Sequence, residues 1–279
     1  MEKVDRRLAG SHVAVPWRPA MGLAQVATAV DEELWGPPPE REPRPGIYTG
    51  ADLVIRVDRW FRERYGKKLE AYWGPGRLAF EFRGATWILR YPFAIAPNGL
   101  LLHTSSVPPK SPDGGPEPLN VLEYILDFPA ALGESLSREE RGSLVETFRL
   151  GWEALNAITD VDQTPLVKAA VADHDACVAS IAGESPNLGQ ARWSALQAAE
   201  KAMKAVLLRA GRNPPRSHDL SILRPLAAAE GADIPQALVD VIQCRADVRY
   251  GDDSSTIAQA IEAHHGSVRV LGICSRVLG

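Results

Sequence analysis

The chain has 279 residues and a formal charge of −4, with 45% apolar and 24% charged residues. That is the profile of a soluble globular protein long enough for two ordinary domains. No stretch reaches the ~18 consecutive apolar residues of a membrane span. After Arg6 and Arg7 the chain runs into His12, Pro16 and Arg18, which break the apolar core a secretory leader needs; a cytoplasmic protein without a membrane partner is the expectation. Cys177, Cys244 and Cys274 are widely spaced and form no C-x-x-C pair, so neither a disulfide framework nor a zinc cluster is indicated, and no metal or cofactor is expected.

Charge is even along the chain: residues 1–160 carry 19 basic and 22 acidic groups, and residues 161–279 carry 12 and 13. This excludes a broad electrostatic binder of nucleic acid and leaves room only for a local basic site. Aromatics are uneven. Beyond residue 160 only Trp193 and Tyr250 occur, in a half rich in Ala and Leu.

In chain order, residues 1–46 read as a weakly structured arm. It contains one helical segment, Gly22 to Leu34, and a proline-rich run from Pro37 to Pro45 that favours extended, solvated backbone. Residues 47–160 read as an α+β domain. Leu53, Val54, Val57, Trp60, Phe61 and Tyr65 place one apolar stripe on a helix ending near Gly66. Strand-like runs follow at Leu69–Trp73, Leu78–Phe82, Thr86–Ile95 and Leu100–Thr104, punctuated by Gly and Pro, as a small antiparallel meander. A Pro/Gly-rich loop spans Val107 to Pro118. Helices over Val121–Phe128 and Arg138–Ile158 close the region, the second opened by the capping-box pattern Ser137…Glu140. The aromatics here have the spacing of core residues. His103 stands alone, with the structural or solvated role usual for such a histidine. No catalytic constellation occurs in this domain.

Residues 161–279 read as helices throughout: Leu166–Ile181, Gln190–Ala210, Asp219–Ala229, Pro235–Arg245 and Ser255 to about Val277. Joined by short loops, these make an up-and-down bundle. On the long helix Leu196, Ala199, Met203, Val206 and Leu207 form the apolar stripe, and Glu200 with Lys204 is an i,i+4 pair of favourable orientation. Ser217 is placed to cap the helix opening at His218–Asp219. His264 and His265, neighbours on the last helix, read as a solvated face.

Three motifs go further than the pattern. Gln197-Ala198-Ala199-Glu200-Lys201-Ala202-Met203-Lys204-Ala205 resembles the long helix of HEPN domains. Pro215-Arg216-Ser217-His218-Asp219-Leu220 is similar to their Pro-x-Thr-His-Asp-Leu loop. Arg249-Tyr250-Gly251 stands where those proteins have Arg-Tyr-Pro. The resemblance covers about residues 161–279 and implies an all-α bundle acting as a homodimer. It implies either a module that binds nucleotides or RNA, or a metal-independent ribonuclease with an Arg-x(4–6)-His motif. It also implies a place in a defence or toxin system, with a nucleotidyltransferase-like partner on a separate chain, since no such signature occurs here.

The ligand-binding candidates are Arg212, Asn213, Arg216, His218, Lys204 and Arg249. Under the ribonuclease reading Arg212 holds the phosphate and His218 moves the proton, which suits an imidazole titrating near neutrality. A purely structural, dimerising bundle is the third reading.

Overall fold

The computed structural model describes residues 1–11, 13, 18–34, 38–39, 41–66, 75–91, 101–105, 118–250 and 255–279. The chain divides into two compact units, Met1–Trp73 and Gly74–Gly279.

Among its described residues the first unit holds three helices: α1 (Glu2–Gly10), α2 (Arg18–Val30) and α3 (Gly50–Tyr65). Leu8, Val57 and Phe61 are buried between them, with Leu23, Val26 and Trp60 packed around. Gly22 allows the close approach of α2 to α3, since a Cβ there would lie 2.6 Å from the Phe61 ring. Two buried carboxylates pin the ends of these helices. Asp5 accepts from Arg18 and from Arg64, at 3.3 and 2.9 Å, and from the Tyr65 hydroxyl. Asp52 accepts from Arg41 and Arg44, both at 2.7 Å. Hydrogen bonds from Arg41 and then Arg44 hold the Asp52 carboxyl well below its ordinary range. Part of the expected proline-rich arm is thus tied down by two arginines.

The second unit begins with a hairpin, β1 (Arg77–Phe82) and β2 (Ala85–Arg90), antiparallel with Leu78 opposite Leu89 and Phe80 opposite Trp87. Arg83 and Gly84 make its turn with φ of 50° and 76°, the positive values that a two-residue hairpin requires. The short strands β3 (Leu101–His103) and β4 (Pro118–Asn120) form a separate parallel pair, which departs from an all-antiparallel meander. The expected strand Leu69–Trp73, the end of the expected Thr86–Ile95 run and most of the proline-rich loop lie outside the described residues. A 3-10 turn (Val121–Tyr124) replaces the helix expected over Val121–Phe128 and leads to α4 (Ala130–Glu134) and α5 (Arg138–Asp160). The expected capping box opens α5: Ser137 Oγ accepts from Glu140 N, and Glu140 accepts from Ser137 N.

Among the described residues five α-helices follow: α6 (Pro165–Ala182), α7 (Leu188–Arg209), α8 (Leu220–Ala229), α9 (Gln236–Ile242) and α10 (Ile257–Leu278). The fold is therefore α+β followed by an all-α up-and-down bundle, as the sequence patterns imply. The expected limit near residue 160 falls between α5 and α6, inside the second unit. Helix α7 is the centre, packed along α6 and α10, while α10 also meets α5 and α9. Leu196, Ala199, Met203, Val206 and Leu207 are all buried, and each large apolar side chain so placed contributes about 1.5–3 kcal/mol. Gly272 on α10 lets α5 approach, because a Cβ there would sit 3.1 Å from that of Ala154. No helix is long and apolar enough to cross a membrane among the described residues.

Candidate functional site

One face of α7 carries Trp193, Gln197, Glu200 and Lys204 at i, i+4, i+7 and i+11, a spacing that keeps them on one side of a helix. Glu200 is buried, its side chain only 4% exposed, whereas that of His218 is 64% exposed. The Glu200 carboxylate gathers three donors: Lys204 Nζ at 2.6 Å, His218 Nδ1 at 2.7 Å and Gln197 Nε2 at 2.9 Å. These partners offset the cost of a carboxylate in the interior.

His218 comes from the α7–α8 loop. That loop is set by Asp219, the N-cap of α8, whose side chain accepts from Ser221 N at 2.8 Å. The expected cap, Ser217, instead accepts from Asp219 N at 3.0 Å. The helix begins one residue later than the sequence suggests, and the nearer polar oxygen takes the cap.

Above this pair stands a column of flat groups. The His218 ring lies 5.6 Å from that of Trp193. The Arg249 guanidinium lies 5.0 Å over Trp193 and 4.7 Å over Tyr250. Tyr250 is 72% exposed. Arg249 and Tyr250 end a 3-10 turn, Ala246–Tyr250, that rests on the start of α7. A Cβ on Gly189 would lie 2.0 Å from the Val248 carbonyl oxygen, so only glycine permits the approach that brings Arg249 over Trp193, one helical turn further on.

Residues 172–277 match the family model of the HEPN domain. This part of the chain is a HEPN domain. The comparison with curated proteins gave no match to the chain, and neither did that with solved structures. The HEPN domain spans most of α6 and all of α7, α8, α9 and nearly all of α10, and so contains the whole cluster around Glu200.

The sequence candidates fall into separate places within the HEPN domain. His218 and Lys204 share Glu200, and Arg249 joins them through Trp193. Arg212 turns elsewhere, to Glu230 at the end of α8, 2.6 Å away in an ion pair without hydrogen-bond alignment. Arg212 and His218 are therefore held by different carboxylates. Asn213 and Arg216 are exposed on the loop between them. Sequence reasoning did not single out Trp193, Gln197 and Tyr250 as site residues. The signal available for two of them was rarity, since they are the only aromatics past residue 160.

A second polar cluster lies in the core, and here the expectation of a solvated His264–His265 face is corrected. His264 is fully buried and His174 nearly so. The two rings stack at 5.2 Å. All of these histidines grip the edge of β1 that faces away from β2. His174 Nε2 donates to the Arg77 carbonyl at 2.9 Å and His265 Nε2 to that of Ala79 at 2.9 Å, while His264 Nε2 accepts from Ala79 N at 3.2 Å. Neighbouring side chains on a helix diverge, but a strand crossing α10 meets both. With Nε2 as acceptor, His264 carries its proton on Nδ1, which faces the Cys177 sulfur at 3.5 Å. Burial pushes the pKa of all three imidazoles down, that of His264 well below its ordinary value. Burial also raises the thiols of Cys177 and Cys274, the latter to about 12, so neither has thiolate character. Among the described residues no group of His, Cys, Asp and Glu is arranged to hold a metal.

Proposed function

We propose that the HEPN domain binds a nucleotide or single-stranded RNA at the face of α7, as an accessory module of a defence or toxin–antitoxin system. The observation that supports this reading is the Tyr250–Arg249–Trp193–His218 column. Flat aromatic and guanidinium faces are what nucleobases stack on, and such stacking tolerates any base. The exposed Arg216 on the adjoining loop supplies charge for phosphate, and the even charge elsewhere confines binding to this patch. A second copy of the chain and a separate nucleotidyltransferase-like protein are the partners this reading carries from the family.

The test is fluorescence anisotropy with a labelled mixed-sequence oligoribonucleotide. Trp193→Ala and Arg249→Ala should each weaken binding about 5- to 100-fold, the range of a lost base stack. Arg216→Ala should weaken it less and flatten its salt dependence. Undiminished binding by Trp193→Ala would dismiss the reading.

A second reading is a metal-independent ribonuclease using Arg212 and His218. It is favoured by one observation, the buried carboxylate on His218 Nδ1, since an imidazole oriented in this way suits general acid–base work. RNA cleavage by the parent that is lost in His218→Ala would establish it. Cleavage that survives the substitution, or that neither protein performs, would remove it.

A further inference from the structure

We propose that Glu200 is a positioning residue that fixes the tautomer of His218 and so makes its Nε2 an acceptor for a ribose 2′-hydroxyl. The inference rests on the nucleotide-binding reading of this face and specifies which ligand atom the face selects. An unconstrained imidazole favours the form protonated on Nε2. Here Nδ1 lies 2.7 Å from a buried carboxylate oxygen. A carboxylate accepts only, so the ring proton must sit on Nδ1. Gln197 Nε2 is 3.2 Å from the same ring nitrogen. Once Nδ1 carries the proton, that amide has nothing to donate to there, and it donates to Glu200 instead, at 2.9 Å.

The remaining ring nitrogen belongs to a side chain that is 64% exposed, beside the aromatic column. As a bare lone pair it accepts a hydrogen bond and offers no donor. A 2′-hydroxyl has a proton to give, and the deoxyribose of DNA has none at that position. Lys204 completes the arrangement. It donates to the other oxygen of Glu200 at 2.6 Å, so both carboxylate oxygens are engaged as acceptors and the side chain is held in place.

Two measurements test this. The first is the nitrogen-15 spectrum of His218 in the parent protein at about pH 9, where an ordinary imidazole is neutral. A protonated Nδ1 and an unprotonated Nε2 are expected, with that pattern lost in Glu200→Gln. The Nε2-protonated form in the parent would overturn the proposal, and so would an unchanged pattern in the variant.

The second is the ratio of affinities for a single-stranded oligoribonucleotide and its deoxy counterpart. The parent should prefer RNA by about tenfold, the scale of one hydrogen bond left unmade, and Glu200→Gln should bring the ratio close to one. The ratio isolates positioning from charge, because removing a carboxylate beside a phosphate site favours both strands alike. A parent without RNA preference, or a variant that keeps it, would overturn the acceptor role. If the parent binds neither strand, the nucleotide-binding reading fails, while the parent's tautomer still decides whether Glu200 positions His218.

Discussion

Acidification should loosen the second unit through the three histidines that hold β1. Their imidazoles are depressed in the folded chain, mainly by burial, so the folded state binds fewer protons than the unfolded one. Stability is therefore complete above the unfolded value of about 6.5 and is lost as pH falls through it. The charges facing the cluster are mixed. Asp175 on α6 favours the His174 cation, while Arg77 on β1 and Arg269 on α10 oppose charging of His174 and His265. His174 and His265 also oppose the charging of His264.

While the folded state refuses a proton, each site costs about 1.4 kcal/mol per pH unit. Between about pH 7.5 and pH 5.5 His264, held well below its ordinary value, removes about 1.4 kcal/mol, and His174 and His265 add losses of the same sign. The geometry gives the same sign, because a protonated His264 Nε2 no longer accepts from Ala79 N. Denaturant unfolding followed by far-UV circular dichroism across this range reads the slope. Hydrogen exchange at the Ala79 amide reads the same event locally. His264→Leu should lower stability at neutral pH, since it orphans the Ala79 amide, and flatten the pH dependence. A flat profile between these pH values in the parent would refute the argument.

Gly189→Ala forces a Cβ against the Val248 carbonyl. It should cost about 1–3 kcal/mol in denaturant stability and, by shifting Arg249 and Tyr250, weaken oligoribonucleotide binding. Gly151→Ala drives a Cβ to within 2.3 Å of the Tyr91 hydroxyl and should destabilise by a similar amount, about 1–3 kcal/mol, with binding of the oligoribonucleotide unchanged once folded. Asp219→Ala removes the cap of α8 and should lower the unfolding free energy by about 1 kcal/mol. Hydrogen bonds from Arg83 and from Ser137 N hold the Glu140 carboxyl down to about 2. Its contribution is present above the unfolded carboxylate range and fades as pH falls towards about 2, a window below that of the histidines. An acid titration of Glu140→Gln should lack that lower component.

Local pattern carried most of the elements. The Ser137…Glu140 box, the apolar stripe on α7, the α3 stripe and the Arg83–Gly84 turn are all interactions between residues a few positions apart, so sequence spacing alone implies them. The three HEPN-like motifs are local too, and the family match over residues 172–277 covers them. The Glu200–Lys204 pair was legible for the same reason. Its burial, and its third partner His218 eighteen residues away, were not.

What tertiary structure alone decided is which distant groups share a carboxylate, an aromatic face or a strand edge. Arg212 and His218 are six residues apart, yet the loop between them turns one to Glu230 and the other to Glu200. Trp193 and Tyr250 are 57 positions apart and meet through Arg249, because glycine at position 189 admits the turn that carries it. His264 and His265 look like a solvated pair on a helix, since adjacency says nothing about what crosses that helix. The strand that crosses it, 185 residues earlier in the chain, makes them part of the core. The sequence by itself determined most of the helices, the aromatic-poor bundle and the even spread of charge. Packing decided the site, because long-range contacts depend on where the chain returns and leave no periodic trace in the order of its residues.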